Sequence, residues 1–341
     1  MNKILVTGGA GFIGSALIRI ILSELPSSEI INLDALTYAG NMDNLQGLDT
    51  ERHTFVQGDI ANPHDVSRAL PEDTYAIVNI AAETHVDRSI SSAEDFLRTN
   101  IIGTQVLLDA ARMKNVKRFL QVSTDEVMGS LPDDSSSFFT ESSSFAPNSP
   151  YAASKASAEH FVRAAHHTFG LDTVITRCGN NYGPRQFPEK FLPLMLANAM
   201  DDQSIPVDGD GLNVRDWIYV DDHCRAILAV LLKGESGGTY NIGARNEQRN
   251  IEVVNSVLEA LGKPQSLVRF VTDRPGHDRR YAIDPTLIET QLNWRPLETW
   301  TSGLTKTIEW YRTNQGWTER ARSGAYRDYY KQQYGMDVKQ K

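Results

Sequence analysis

At 341 residues the chain is longer than a usual single domain, and its 40% apolar and 23% charged residues exclude a disordered or fibrous class. A net charge of -9 argues against broad nucleic-acid binding, so any anionic ligand must be met by local basic residues. Cys178 and Cys224 stand far apart without metal-ligand spacing, which points away from a disulfide framework or metal site.

In chain order, Met1-Asn2-Lys3 passes within a few residues into glycine-rich sequence, with no h-region, cleavage site or apolar membrane span. The expected location is the cytoplasm. Ile4-Leu5-Val6, Ile30 to Leu33, Ala76 to Ile80, Phe119 to Val122 and Val174 to Thr176 are short apolar runs that alternate with stretches of helical period. That pattern predicts an α/β Rossmann fold, a doubly wound parallel sheet, with crossover helices over Ser15 to Leu25, Phe96 to Lys114 and Ala152 to Phe169. The Ser-rich segment from Asp133 to Ser149 reads as a surface loop, and Pro and Gly between Gly183 and Gly211 mark an exit into a cap. Val214 to Leu232 reads as a return to the first domain. The expected division is residues 1–180 plus 214–245 for an NAD-binding domain, and 181–213 plus 246–341 for a smaller α/β substrate-binding domain.

Thr7-Gly8-Gly9-Ala10-Gly11-Phe12-Ile13-Gly14 follows the first strand and opens a helix, the context in which a glycine fingerprint has meaning. Gly8 makes a tight turn, Gly11 lets the backbone approach a pyrophosphate, and Gly14 permits close helix packing. Asp34, ending the second strand, can accept from a ribose 2'-hydroxyl and would repel a 2'-phosphate, so NAD is favoured over NADP. Asp59-Ile60 and Ile80-Ala81-Ala82-Glu83-Thr84, at the ends of later strands, can border the adenine and the nicotinamide ribose.

Tyr151 and Lys155 stand one helical turn apart, and an ammonium near a phenol lowers its pKa, which predicts a tyrosinate-like base. Such a base can take a proton from a sugar hydroxyl while a nicotinamide takes hydride from the same carbon, and Thr124 can hydrogen-bond that hydroxyl. Simple oxidation needs no adjacent carboxylates, whereas elimination of water needs an acid and a base. Asp125 and Glu126 can supply both if their environments push the two pKa values apart.

With Leu36 to Asn41, Thr84 to Ile90, Asn180 to Pro184, Phe187 to Lys190, Arg215-Asp216-Trp217 and Asp273 to Asp278, these motifs run nearly end to end. Together they resemble the nucleotide-sugar 4,6-dehydratases of the extended short-chain dehydrogenase/reductase type. The resemblance implies a lyase with tightly bound NAD acting on a dTDP-hexose, UDP-hexose or UDP-N-acetylhexosamine. In that reaction Tyr151 assists oxidation at C4, Glu126 removes the C5 proton, Asp125 protonates the leaving C6 hydroxyl, and the hydride returns to C6. It also implies Leu36, Thr37, Thr99 and Asn181 beside NAD, with Tyr151 and Lys155. For the nucleotide sugar it implies Thr84, Asp87, Thr124, Asn180, Lys190, Phe191, Pro206, Asp208, Arg215, Asn250, Asp273, Arg274 and His277. The helices Phe96 to Lys114 and Ala152 to Phe169 are similar to those that pair two subunits as a four-helix bundle, which implies a homodimer.

Four positions depart from the family pattern. Met128 replaces a tyrosine near the sugar, where it either accommodates a different C2 substituent or repacks. Asp208 replaces an aromatic or histidine beside the nucleotide, and Thr84 and Cys178 each replace a serine. The rival readings are a 4-epimerase or decarboxylase, against which the Asp125-Glu126 pair argues, and a C5-inverting enzyme for a UDP-N-acetylhexosamine or unsaturated hexose. A non-catalytic NAD sensor would be expected to lose Tyr151, Lys155 or Glu126.

Overall fold

Short aliphatic runs, each followed by a stretch of helical period, form a parallel sheet covered on both faces. The computed structural model describes residues 3–133 and 136–323. Residues 1–2, 134–135 of the Ser-rich segment and 324–341 of the expected second domain lie outside the described residues.

The strands are β1 (Lys3–Thr7), β2 (Glu29–Asp34), β3 (His53–Gln57), β4 (Thr74–Asn79), β5 (Arg118–Thr124), β6 (Thr173–Cys178), β7 (Asn180–Tyr182), β8 (Ile205–Asp208), β9 (Val214–Tyr219), β10 (Thr239–Ile242), β11 (Glu247–Arg249) and β12 (Val268–Val271). Among the described residues, seven form the main sheet in the order β10-β6-β5-β4-β1-β2-β3, with every pairing parallel. The order reverses between β1 and β4, which opens a crevice at their carboxyl ends. The helices are α1 (Phe12–Glu24), α2 (Pro63–Ala69), α3 (Val86–Ser91), α4 (Glu94–Phe96), α5 (Thr104–Met113), α6 (Pro150–Phe169), α7 (Phe191–Met200), α8 (Val220–Lys233), α9 (Asn250–Leu261), α10 (Thr286–Leu292), α11 (Trp300–Thr313) and α12 (Gln315–Ala321).

Leu17, Ile18 and Ile21 of α1 and Ile227 and Val230 of α8 bury one face of the sheet. Val66 of α2, Leu107 and Leu108 of α5 and Val162 of α6 bury the other. A separate core joins Met195, Leu196, Trp217, Val253, Val257, Leu304, Ile308, Tyr311 and Trp317. It lies under the small sheets β11-β9-β7 and β12-β8.

Three elements differ from the sequence-based expectation. Val214–Tyr219 does not rejoin the main sheet: β9 pairs with β7 and β11, and the return is made by α8 and β10. The helix expected over Phe96 to Lys114 is interrupted by a π-helical stretch, Leu97–Gly103, between α4 and α5. Asn100 explains why, since its amide accepts from Glu83 N and donates to Glu83 O and Ser154 Oγ, pulling that turn out of α-helical register. In the Ser-rich segment, Phe139 is buried and bridges Ile283, because an apolar side chain among serines still seeks the core.

Candidate active site

The carboxyl ends of the main-sheet strands open into a cleft of about 930 Å³. Its floor begins at the glycine turn. Gly8 has φ +69°, and a β-carbon there would stand 2.8 Å from Ala81 Cα. One at Gly14 would meet Gly8 O at 2.2 Å, so both must be glycine. Gly11 is the N-cap of α1 and offers no side-chain cap, and the first turn holds no acidic residue. The amide groups of that turn are therefore left to an anion entering the cleft.

Asp34 ends β2 in the cleft wall, accepting from Leu36 N and Ala10 N, both at 2.8 Å. Burial pushes this carboxyl up while the two backbone donors hold it down. Two of about four lone-pair directions on a carboxylate are thus used, leaving acceptors for a ribose diol. Gly8, Gly11, Phe12, Ile13, Gly14, Thr37, Asp59, Ile60, Ile80, Ala81, Ala82, Thr99 and Asn181 also line the cleft. This uncapped helix terminus with an anchored carboxylate beside it fits a dinucleotide such as NAD. Leu36 takes a left-handed φ of 53° and holds Asp34 through its amide, while Ala35 and Tyr38 line the wall.

The catalytic candidates cluster where β5 ends. Ser149 Oγ accepts from Ala152 N and Pro150 opens α6, which places Tyr151 and Lys155 on its first turns facing Thr124. Thr124, Asp125, Glu126, Tyr151 and Lys155 all line the cleft, with Thr84, Asp87, Asn180 and Lys190 nearby. Thr124 Oγ1 lies 3.3 Å from both Asp125 Oδ1 and Glu126 N. Asp125 Oδ2 is buried without a hydrogen-bond partner among the described residues.

Burial and then the charge of Glu126 push Asp125 well above the usual carboxylate range. Glu126 is also raised by burial, but Arg274, Arg215 and Lys190 all oppose the rise. The arrangement favours a proton on Asp125 and ionisation of Glu126. The tyrosinate expectation is not met by the protein's own groups. Burial and Glu126 push the Tyr151 phenol well up. Lys155, lowered to about 8 by burial, donates instead to Val122 O at 2.6 Å.

The cap-side residues divide. Lys190 Nζ reaches Thr84 O at 2.8 Å in the cleft wall. Phe191, Pro206, Asp208, Arg215, Asn250, Asp273, Arg274 and His277 are not among the residues lining it. Phe191 stacks on Trp217 in the cap core, and Pro206 is a strand residue of β8. Arg215 spends its donors on Val214 O and Asp278 O and stands over the Tyr281 ring at 4.2 Å. Arg274 lies 3.4 Å from Asp87, and His277 lies 2.6 Å from Asp273 and is lowered to about 4, chiefly by burial. Asp208, next to Arg274, is raised to about 6 by burial. Arg215 and Arg274 stand near enough for their charge to bear on Glu126.

Of the two readings of Met128, the packing favours repacking. Met128 is buried with Val127, Phe139, Ala156, Tyr281 and Ile283, its Sδ 3.6 Å from Arg177 Nη1, and it lines no part of the cleft. The turn Asp125–Met128 points the acids one way and Met128 the other, so the exchange for tyrosine is a matter of repacking. Sequence reasoning missed Tyr38, Arg88 and Glu189, which line the cleft between the cofactor loop and the cap. Arg88 lies over the Tyr38 ring at 3.9 Å and donates to Glu189 at 3.1 Å. The signal was present in Phe187-Pro188-Glu189-Lys190, where only the lysine was assigned.

Residues 5–307 match the family model for GDP-mannose 4,6 dehydratase. A dTDP-glucose 4,6-dehydratase of Shigella flexneri is 46% identical, with 97% of this chain and 99% of that protein covered. Among solved structures, a dTDP-glucose 4,6-dehydratase from Streptomyces venezuelae with NAD bound superposes with a TM-score of 0.91. It is 49% identical and covers 94% of this chain and 99% of its own. The corresponding enzyme of Bacillus anthracis, in complex with NAD, gives a TM-score of 0.86 at 44% identity, covering 94% and 100%.

Proposed function

The chain belongs to the GDP-mannose 4,6 dehydratase family and is an NAD-dependent nucleotide-sugar 4,6-dehydratase, a hydro-lyase, for which we propose dTDP-glucose as substrate. The observation that carries the reading is the pair of unequal acids, buried Asp125 and half-buried Glu126, at the end of β5 beside Tyr151.

Bound NAD supplies the two-electron acceptor for C4 and the donor for C6. Tyr151, ionised under the positive charge of a bound oxidised nicotinamide, would receive the proton of the C4 hydroxyl with Thr124 aiding, and Lys155 fixes the floor of the site through Val122 O. Glu126, kept ionisable by Arg274, Arg215 and Lys190, removes the C5 proton made acidic by the C4 ketone. Asp125, held protonated by burial, gives its proton to the departing C6 oxygen. Among the described residues, the main sheet with the segments before residue 181 and over 220–245 would hold NAD, and the cap, 181–219 and 246–323, would hold the nucleotide sugar, with β9 on the cap side.

The same reading makes the protein a cytoplasmic homodimer. Ile102, Met113, Phe161 and Phe169, along α5, α6 and the turn before them, are exposed apolar side chains, as expected of helices that pack against a second copy. No helix among the described residues is long and apolar enough to cross a membrane.

The test is incubation with dTDP-glucose, UDP-glucose and UDP-N-acetylglucosamine, each deuterated at C4. Loss of water with deuterium arriving at C6 is the expected result for dTDP-glucose. Inversion at C4 with the deuterium retained there and no loss of water would overturn the dehydratase reading in favour of an epimerase. Preference for a UDP-sugar would overturn the substrate.

A further inference from the structure

The backbone at Ala10, inside the glycine turn, is held at both of its peptide units. Its N–H donates to Asp34 Oδ2 at 2.8 Å, while its carbonyl accepts from Asn44 Nδ2 at 2.8 Å and Asn41 N at 3.0 Å. That carbonyl shares a peptide plane with the N–H of the N-cap Gly11, so holding it fixes the direction in which the chain enters α1. Asn44 belongs to the short 3-10 turn Met42–Leu45 and is almost fully buried. Its Oδ1 accepts from the indole Nε1 of Trp317, at 2.9 Å, from a helix 273 positions further along the chain.

The chemistry of the three groups allows one arrangement only. An indole nitrogen only donates and a carbonyl only accepts, so Asn44 must turn its oxygen to Trp317 and its amide to Ala10. Without Trp317 the amide is free to flip and set oxygen against oxygen. Trp317 itself is clamped. Its ring packs edge-on against Trp310 and Tyr311, and Arg320 and Arg322 flank it with ion pairs to Asp43 and Asp201.

Resting on the NAD-dependent reading above, we propose that Trp317 and Asn44 are positioning residues for the cofactor. In this assignment α12 holds the glycine turn in its binding geometry, so retention of NAD depends on a helix far from that turn in sequence. The same helix pair also touches the opposite wall, since Tyr311 donates to Gln186 O at 2.6 Å and Gln186 donates to Asn181 O at 2.9 Å, both in the cleft. The two helices thus brace the two sides of the dinucleotide site at once.

The test is a titration of NAD-stripped protein with NAD, read by bound cofactor after rapid filtration, on wild type, Trp317→Phe, Asn44→Asp and the double variant. Trp317→Phe keeps the ring and deletes one donor. The expected result is NAD affinity weaker by about three- to tenfold, the scale of one hydrogen bond, with kcat at saturating NAD within about twofold of wild type. Asn44→Asp keeps the acceptor for Trp317 but cannot donate to Ala10 O, and should weaken NAD further. The double variant should be no weaker than Asn44→Asp, because the two groups act in series. Unchanged affinity in Trp317→Phe, or multiplicative losses in the double variant, would overturn the proposal. Should Trp317→Phe fail to fold, unchanged affinity in Asn44→Asp alone would do the same. A wild-type protein that does not bind NAD would fail the cofactor reading itself, an outcome distinct from wild-type binding with unaffected variants.

Discussion

The two walls of the cleft recognise their ligands by different means. On the sheet side, the groups that face a dinucleotide are largely backbone: the uncapped amides of α1, the glycine turn and a carboxylate anchored by two N–H groups. On the cap side they are charged side chains brought together from distant segments, such as Arg88 with Glu189 and Lys190 with Thr84 O. Backbone recognition depends on the path of one short stretch and tolerates most side-chain changes. Side-chain recognition depends on the whole fold and can be retuned one residue at a time. The catalytic turn lies on the seam, fixed by strand β5 yet adjusted in pKa by cap cations.

The largest effect is expected where that seam is cut. Glu126→Gln keeps the shape of the turn and removes the ionisable base. Elimination should fall by about 10²- to 10⁴-fold, while C4 oxidation, read as the absorbance of enzyme-bound NADH, persists. Equal loss of both half-reactions would mean that the turn serves the sheet side alone.

A smaller effect comes from the sheet side's own buried cation. Lys155 has a folded pKa of about 8 against an ordinary 10.5, so the unfolded chain holds its proton more tightly than the folded one. The penalty for burying the ammonium is therefore full below about pH 8 and fades as pH rises towards 10.5. Lys155→Met removes a cost of up to about 3 kcal/mol but leaves Val122 O without its donor, for a net gain of about 1–2 kcal/mol. We expect Tm to rise at pH 7, the advantage to vanish near pH 10.5, and C4 oxidation to be lost. A lower Tm at pH 7 would mean that the lysine is paired more favourably than its surroundings indicate.

The same contrast explains what could be read from the residues alone. The strands, the glycine turn, Asp34 and the Tyr151–Lys155 spacing are local patterns, and local patterns survive in sequence. Asn100, which distorts its helix, and the Tyr38–Arg88–Glu189 cluster are made by contacts across the fold, and no spacing rule announces them. The lysine–tyrosine rule is incomplete for a related reason. It counts the nearest charge and omits burial, which dominates the shift at both residues. The expectation that cap residues such as Arg215 meet the ligand rests on chemistry that suits a diphosphate. In the fold Arg215 bonds to Val214 O and Asp278 O and influences Glu126 through its charge.

Met128 offers the smallest expected effect and a sharp division between the walls. A cleft residue in the place of the family's tyrosine would alter which C2 substituent is accepted, whereas Met128 is 3% exposed and faces Arg177 from the apolar cluster behind the turn. Arg177 is itself held by a bidentate pair with Glu159, so the pocket around the thioether is stiff. In Met128→Tyr the ring must fit that pocket and can set its hydroxyl beside the guanidinium, so strain and a new hydrogen bond should offset to within about 1 kcal/mol. The ratio of kcat/KM for dTDP-glucose over UDP-N-acetylglucosamine should move less than about twofold, with a Tm shift of a few degrees at most. A tenfold change in that ratio would place residue 128 against the sugar after all, and would move the substrate-reading surface from the cap onto the sheet side.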